Sequence, residues 1–226
     1  MSTGLPTVRP RLGIVTIGQT PRPDLAAAFQ SEAPQSEVRV TGALDGVSAD
    51  DLAALTAPGA YPLLVRLADG ATVEVPRDRL VPRVAAAAAS LAADGARLVV
   101  VACAGEFPAP ACPVPVLVPG RLVPVALAAL APLGPIGVVT PNAAQVPWAA
   151  GKWRADGFDA VVAAAAPGDA AALAAAAAAF AASRVSVVVL DCMGHGEAER
   201  AALAARCGRP VIAVQPLVAR LAAAML

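Results

Sequence analysis

Two cysteines stand where a parallel-sheet protein places its chemistry. Val185–His195 reads Val-Ser-Val-Val-Val-Leu-Asp-Cys-Met-Gly-His, an apolar strand that ends on Asp191 and Cys192 before Gly194 and a polar helical run from Glu197. Leu98–Gly105 reads Leu-Val-Val-Val-Ala-Cys-Ala-Gly and repeats the arrangement, with Cys103 at the end of an apolar run and Gly105 behind it. Continuous β-branched runs suit strands buried on both faces, and open α/β sheets bind ligands outside the carboxyl ends of their strands. A thiol at a helix start has its thiolate favoured by unpaired N–H groups and the helix dipole. Two such thiols, one from each half of a chain and facing each other across a cleft, suit proton removal from carbon on one side and return on the other. Backbone N–H groups beside them (Ala104 and Gly105, Met193 and Gly194) would hold a carboxylate and spread the charge developing on it.

The chain around them alternates strand and helix. Leu12-Gly-Ile-Val-Thr-Ile-Gly18 is an apolar strand that runs into Gln19-Thr-Pro-Arg-Pro-Asp24 and a helix over Leu25–Gln30. Proline near the start of a helix is how such a β–α unit opens, and the turn lacks the G-x-G-x-x-G spacing of dinucleotide folds. Thr16, Gln19, Thr20 and Arg22 make it a candidate anion site, with Thr140 and Asn142 as the counterpart later in the chain. That counterpart follows from Gly137-Val-Val-Thr140, which restates Gly13-Ile-Val-Thr16. Each motif opens a series that later reaches a cysteine strand.

Other segments complete the layout. Leu63–Val75, with Asp69-Gly70 at its centre, predicts an antiparallel hairpin inserted in the first series, within about residues 61–75. Helices are expected over Arg77–Ala93, Arg121–Ala131, Pro147–Asp156, Asp169–Ser183, Glu197–Arg206 and Leu217–Leu226, with a short extended piece at Val114–Val118. The fold class is therefore α/β, with two pseudo-symmetric lobes of mainly parallel sheet. The expected division is a flexible leader over residues 1–10, a first lobe over 11–120 and a second over 121–226, the C-terminal helix being free to pack back on the first.

Composition narrows the partners. Of 226 residues, 58% are hydrophobic and only 15% charged, and 17 basic residues balance 17 acidic ones. No basic stripe follows a groove, which argues against nucleic acid. Mean hydropathy is +0.66, but the long apolar run Phe158–Ser183 is mostly alanine and is broken by Pro167, Gly168 and Asp169, which argues against a membrane span. The expectation is a cytoplasmic protein that uses no cofactor, binds a small carboxylate, and leaves a homodimer open. Four cysteines without a C-x-x-C, and one histidine, make no zinc signature. His195 either assists Cys192 or caps the following helix. Glu106 reads as a solvated loop carboxylate, and Cys112 and Cys207 as bystanders.

Thr16-Ile-Gly-Gln-Thr-Pro-Arg-Pro-Asp24, together with Leu190-Asp-Cys-Met-Gly194, resembles the AroM family from Arg11 to Leu226. AroM proteins are similar in turn to the aspartate/glutamate racemase superfamily, with its hydantoin racemases, maleate isomerases and arylmalonate decarboxylases. By that resemblance Cys103 and Cys192 match the paired catalytic cysteines, and a cofactor-independent racemase or isomerase is implied. The chain departs from the superfamily pattern at both sites. Cys-Asn-Thr is Cys103-Ala-Gly here, Cys-Thr-His becomes Cys192-Met-Gly-His195, and Gln19 replaces an acidic residue. The competing readings are a binding or regulatory protein with the same cleft, and a lyase or decarboxylase that uses one cysteine.

Overall fold

The computed structural model describes residues 9–130 and 134–226. Most of the leader, and the end of the helix expected to reach Ala131, lie outside them. The first half contains β1 (Arg11–Thr16), α1 (Pro23–Glu32), β2 (Glu37–Gly42), α2 (Ala49–Leu55), β3 (Pro62–Arg66), β4 (Thr72–Pro76), α3 (Arg77–Ala93), β5 (Ala96–Ala102) and β6 (Val116–Leu117). The second half contains α4 (Pro119–Ala128), β7 (Ile136–Thr140), a 3-10 turn (Ala143–Gln145), α5 (Val146–Ala155), β8 (Ala160–Ala164), α6 (Ala170–Ala181), β9 (Val187–Leu190), α7 (Glu197–Cys207), β10 (Val211–Ala213) and α8 (Val214–Ala224).

Two four-stranded parallel sheets carry the molecule, ordered β2-β1-β5-β6 and β8-β7-β9-β10. In both, the chain leaves a first strand for a neighbour on one side and later returns on the other. The strand order therefore reverses between β1 and β5 and again between β7 and β9, the crevices where open sheets bind ligands. The antiparallel pair β3–β4 is inserted between the second and third strands of the first sheet.

Alternating residues explain how the sheets stack. Leu12 and Ile14 of β1, Leu98 and Val100 of β5, Ile136 and Val138 of β7, and Val187 and Val189 of β9 join one apolar core with α1, α8 and Trp153. Val15, Val99 and Val101 face the opposite way, onto α3 and the hairpin, while Val139 and Val188 face α6 and α7. Each fully buried aliphatic side chain of this kind contributes about 1.5–3 kcal/mol. The repeated Gly13 and Gly137 occupy equivalent places. A Cβ at either would come within 3.0 Å of Leu91 or Phe180, the side chains by which α3 and α6 lie on their sheets. The alanine tracts form helices because alanine has the highest intrinsic helix propensity, and two helices are also capped by side chains: the Asp169 carboxylate accepts from the amides of Ala171 and Ala172, and Ser48 accepts from Asp51. α8 packs on α1, and Arg220 there reaches Glu32 at 3.3 Å. It begins at Val214, earlier than Leu217, because Pro216 falls in the first turn, where its missing N–H breaks no helical bond. No described helix is long and apolar enough to cross a membrane.

The hairpin is fastened to the end of β1 through Gln19. Its amide N–H donates to the Arg66 carbonyl (3.0 Å), its side-chain Oε1 accepts from Ala68 (3.0 Å), and its Nε2 donates to the Leu44 carbonyl (3.1 Å). Gly18 permits this approach, since a Cβ there would collide with the Arg66 carbonyl. Gly18→Ala is therefore expected to cost about 1–3 kcal/mol by overpacking. Denaturant unfolding should show that loss, and hydrogen exchange should quicken at the Gln19 and Ala68 amides. Unchanged stability and exchange would mean that the hairpin is held by other contacts.

Candidate active site

Both cysteines line one cavity of about 430 Å³ that lies over the two switch points. Thr16 ends β1 beside Ala102, the residue before Cys103, and Thr140 ends β7 beside the β9 end that leads to Cys192. The two threonines are almost wholly buried and both face the cavity. The half-sites match in detail. The Gly105 amide donates to Cys103 Sγ at 3.3 Å, and the Gly194 amide donates to Cys192 Sγ at 3.4 Å. Such bonds favour the thiolate, whereas removal from water opposes it. Burial dominates: it pushes the Cys103 thiol from an ordinary 9.0 up to about 12, and Cys192 up to about 11.

Among the expected residues, Thr16, Arg22, Ala104, Gly105, Thr140, Met193 and Gly194 line the cavity with the two cysteines. Arg22 is held in place: it donates to Thr16 Oγ1 (3.1 Å) and pairs with Asp24 (2.6 Å). Four expected residues lie elsewhere. Gln19 is spent fastening the hairpin. Thr20 is bound through its amide and hydroxyl to the Asp45 carboxylate (2.7 and 2.9 Å). Asn142 accepts from the Gln145 amide through Oδ1 and donates to Glu74 at 2.9 Å, which ties β4 to the second half. His195 is fully buried and absent from the cavity wall. Its Nε2 donates to the Ala165 carbonyl (3.2 Å), and its Nδ1 lies 3.2 Å from the Glu199 carboxylate. These contacts join the start of α7 to the loop after β8. Glu106 is exposed and pairs with Arg77, and neither Cys112 nor Cys207 lines the cavity.

Sequence reading missed Lys152 and Asp191 as a pair. Lys152 Nζ is 3.1 Å from Asp191 Oδ2 and donates to the Ala104 carbonyl at 3.1 Å, and Trp153 Nε1 donates to the same carboxylate oxygen at 3.0 Å. Both charged side chains are more than nine-tenths buried, and both border the cavity. An acid at the end of a buried strand was the available signal, because such a group needs a partner. Tyr61 and Trp148 also border the cavity and pack against each other, their ring centroids 5.6 Å apart. No cluster of His, Cys, Asp and Glu suited to a metal occurs among the described residues.

Comparison with known proteins agrees with this architecture. The model of the AroM protein family matches residues 12–226. No curated protein matches the sequence. Among solved structures, allantoin racemase from Klebsiella pneumoniae is similar with a TM-score of 0.60 at 13% identity, over 96% of this chain and 87% of that one. Arylmalonate decarboxylase gives 0.63 at 16% identity (96% and 92%), and maleate isomerase from Pseudomonas putida S16 gives 0.58 at 15% (96% and 91%). The fold is thus the one shared by aspartate/glutamate racemase-type proteins.

The raised thiols give a direction for pH effects. The folded chain holds these two protons to higher pH than the unfolded chain does, so the stability they contribute is complete below about pH 9. It is lost as pH rises through 11–12. Because the thiolate is the nucleophile, iodoacetamide labelling of Cys103 and Cys192 should accelerate about tenfold per pH unit beyond pH 9. Peptide mass spectrometry would follow each site, and a plateau near pH 8.5–9 at either cysteine would contradict the burial argument. The match of residues 12–226 to the family model, on a fold of this type, makes the chain a member of the AroM family.

Proposed function

We propose that this protein is a cofactor-independent racemase- or isomerase-type enzyme acting on a small carboxylate-bearing molecule, with Cys103 and Cys192 as opposed base and acid. The observation that carries the reading is that two sulfurs from equivalent strand ends, each bonded to the amide two residues on, border a single cavity. The occurrence of this fold in proteins named as a racemase, an isomerase and a decarboxylase supports it.

The proposed step conserves charge. A Cys103 thiolate takes the carbon-bound proton, and the C–H electron pair moves into the carboxylate to give an enediolate. The Cys192 thiol then delivers its proton to the opposite face of the carbon, the electron pair returns to form the new C–H bond, and Cys192 is left as the thiolate. The reverse direction exchanges the roles. The Gly105 and Gly194 amides stabilise whichever sulfur is ionised, and two cations act on the sulfurs across the halves. Lys152 of the second half favours ionised Cys103, and Arg22 of the first half favours ionised Cys192. Only the ionised free enzyme accepts a proton from carbon, so kcat/KM should rise with pH well above neutrality.

The test is solvent exchange. A ligand found by thermal-shift screening of hydantoins, amino acids, hydroxy acids and dicarboxylates would be turned over in deuterated water. The product enantiomer should carry deuterium at its chiral carbon. Cys103→Ala and Cys192→Ala should each abolish racemisation, while leaving proton exchange on opposite faces. Loss of activity through only one substitution would indicate a one-cysteine lyase. Absence of exchange with a bound ligand would leave a binding protein.

A further inference from the structure

The wall beside Cys103 is apolar on the side of the hairpin. At Gly105, an added Cβ would meet Leu63 Cδ2 at 2.9 Å, Cys103 Sγ at 3.3 Å and Tyr61 Cε1 at 3.7 Å. The hairpin therefore fills the place next to the sulfur with a leucine and an aromatic ring. Tyr61 is held there at some conformational expense. Its φ of 53° is in the left-handed region that a bulky residue rarely adopts, and its surroundings fix it in several ways. Its carbonyl accepts from the Arg77 amide (3.1 Å), its hydroxyl accepts from the Glu106 amide (3.3 Å), and the Arg77 guanidinium lies 5.1 Å from the ring centroid. Trp148 of α5 packs against it from the second half and remains 43% exposed at the cavity. A large apolar side chain that is left open beside a fixed ring offers a face for a flat ligand group. The cavity's 430 Å³ is also several times the bulk of a four-carbon dicarboxylate, and ligand sites are mostly filled by what they select.

We propose that Tyr61, Leu63 and Trp148 form a ring-binding subsite beside Cys103, so that the site selects carboxylates bearing a planar ring over small aliphatic ones. The hairpin is then a specificity-determining element, because Tyr61 and Leu63 belong to it while the sulfurs belong to the sheets. The inference rests on reading this cavity as the carboxylate site. It does not depend on how many cysteines act.

Matched probes test it by calorimetry on wild type and on the Cys103→Ala/Cys192→Ala double variant, which removes turnover. Phenylacetate should bind at least tenfold more tightly than acetate, and phenylmalonate at least tenfold more tightly than malonate, aspartate or glutamate. Trp148→Ala, at a half-exposed position, should reduce that preference below threefold and leave malonate affinity within twofold. Equal or tighter binding of the aliphatic acids, no measurable binding of either phenyl acid at 10 mM, or an unchanged preference in Trp148→Ala would each overturn the proposal. Deuterium exchange into an aliphatic substrate in the face of such a result would retain the two-cysteine chemistry and reject only the ring subsite.

Discussion

One buried ammonium holds the two half-sites together. Lys152 comes from α5 of the second half, yet it bonds the carbonyl next to Cys103 and the carboxylate next to Cys192. Burying a charge costs several kcal/mol per ion, so such a group persists only when its acceptors are well placed. Here the carboxylate and the carbonyl serve the ammonium, and the Trp153 indole N–H serves the carboxylate in turn. The ammonium also lies 4.7 Å from the Trp153 ring centroid, so packing and charge use the same side chain. Removing Lys152 would leave the Asp191 charge without its cation, and because that carboxylate opposes ionisation of both sulfurs, the cost of ionising either thiol would rise.

The rest of the site follows from repetition with one asymmetry. Two sheets of the same strand order present a threonine and a cysteine at each switch point, and an equivalent glycine lets a helix close on each sheet. The hairpin breaks the symmetry. It belongs to the first half, is held by Gln19 at its root, and reaches the second half through Glu74 on Asn142 and Tyr61 on Trp148. The sulfurs therefore sit in similar backbone settings but under different walls. A reaction that treats two faces of a carbon alike needs the backbone equivalence, whereas discrimination among substrates needs the unlike walls.

Much of this was legible in the chain. Apolar runs that end in cysteine marked the two strand ends that meet at the cavity, because strands buried on two faces leave little freedom over where they stop. The Asp69-Gly70 hairpin was likewise readable from its turn chemistry, and the helix near Asp169–Ser183 from its alanine tract. Side-chain direction was not. His195 is close to Cys192 in sequence, but the Cys192–Gly194 turn sends its ring into the core behind the loop, and Gln19 turns toward the hairpin. Lys152 resembled any helical lysine, because nothing local reveals that α5 lies against a carboxylate 39 residues further along the chain. The short strands near Val116 and Val187 were overestimated at their ends: Val114 and Val118 extend the apolar run beyond Val116–Leu117, and Val185 lies before Ser186, outside Val187–Leu190.

The central claim is that Cys103 and Cys192 face one another across a space fit for a single carbon centre. Contacts of about 3–3.5 Å on each side of that carbon would require the sulfurs to be about 6–7 Å apart. Bis-electrophiles of graded length measure that separation directly in the intact protein, with peptide mass spectrometry to locate the bridge. The account predicts an intramolecular Cys103–Cys192 cross-link with reagents spanning about 6–7 Å, formed faster as pH rises and absent when either cysteine is alanine. Single attachments at each cysteine, with no bridge at any length in that range, would contradict it.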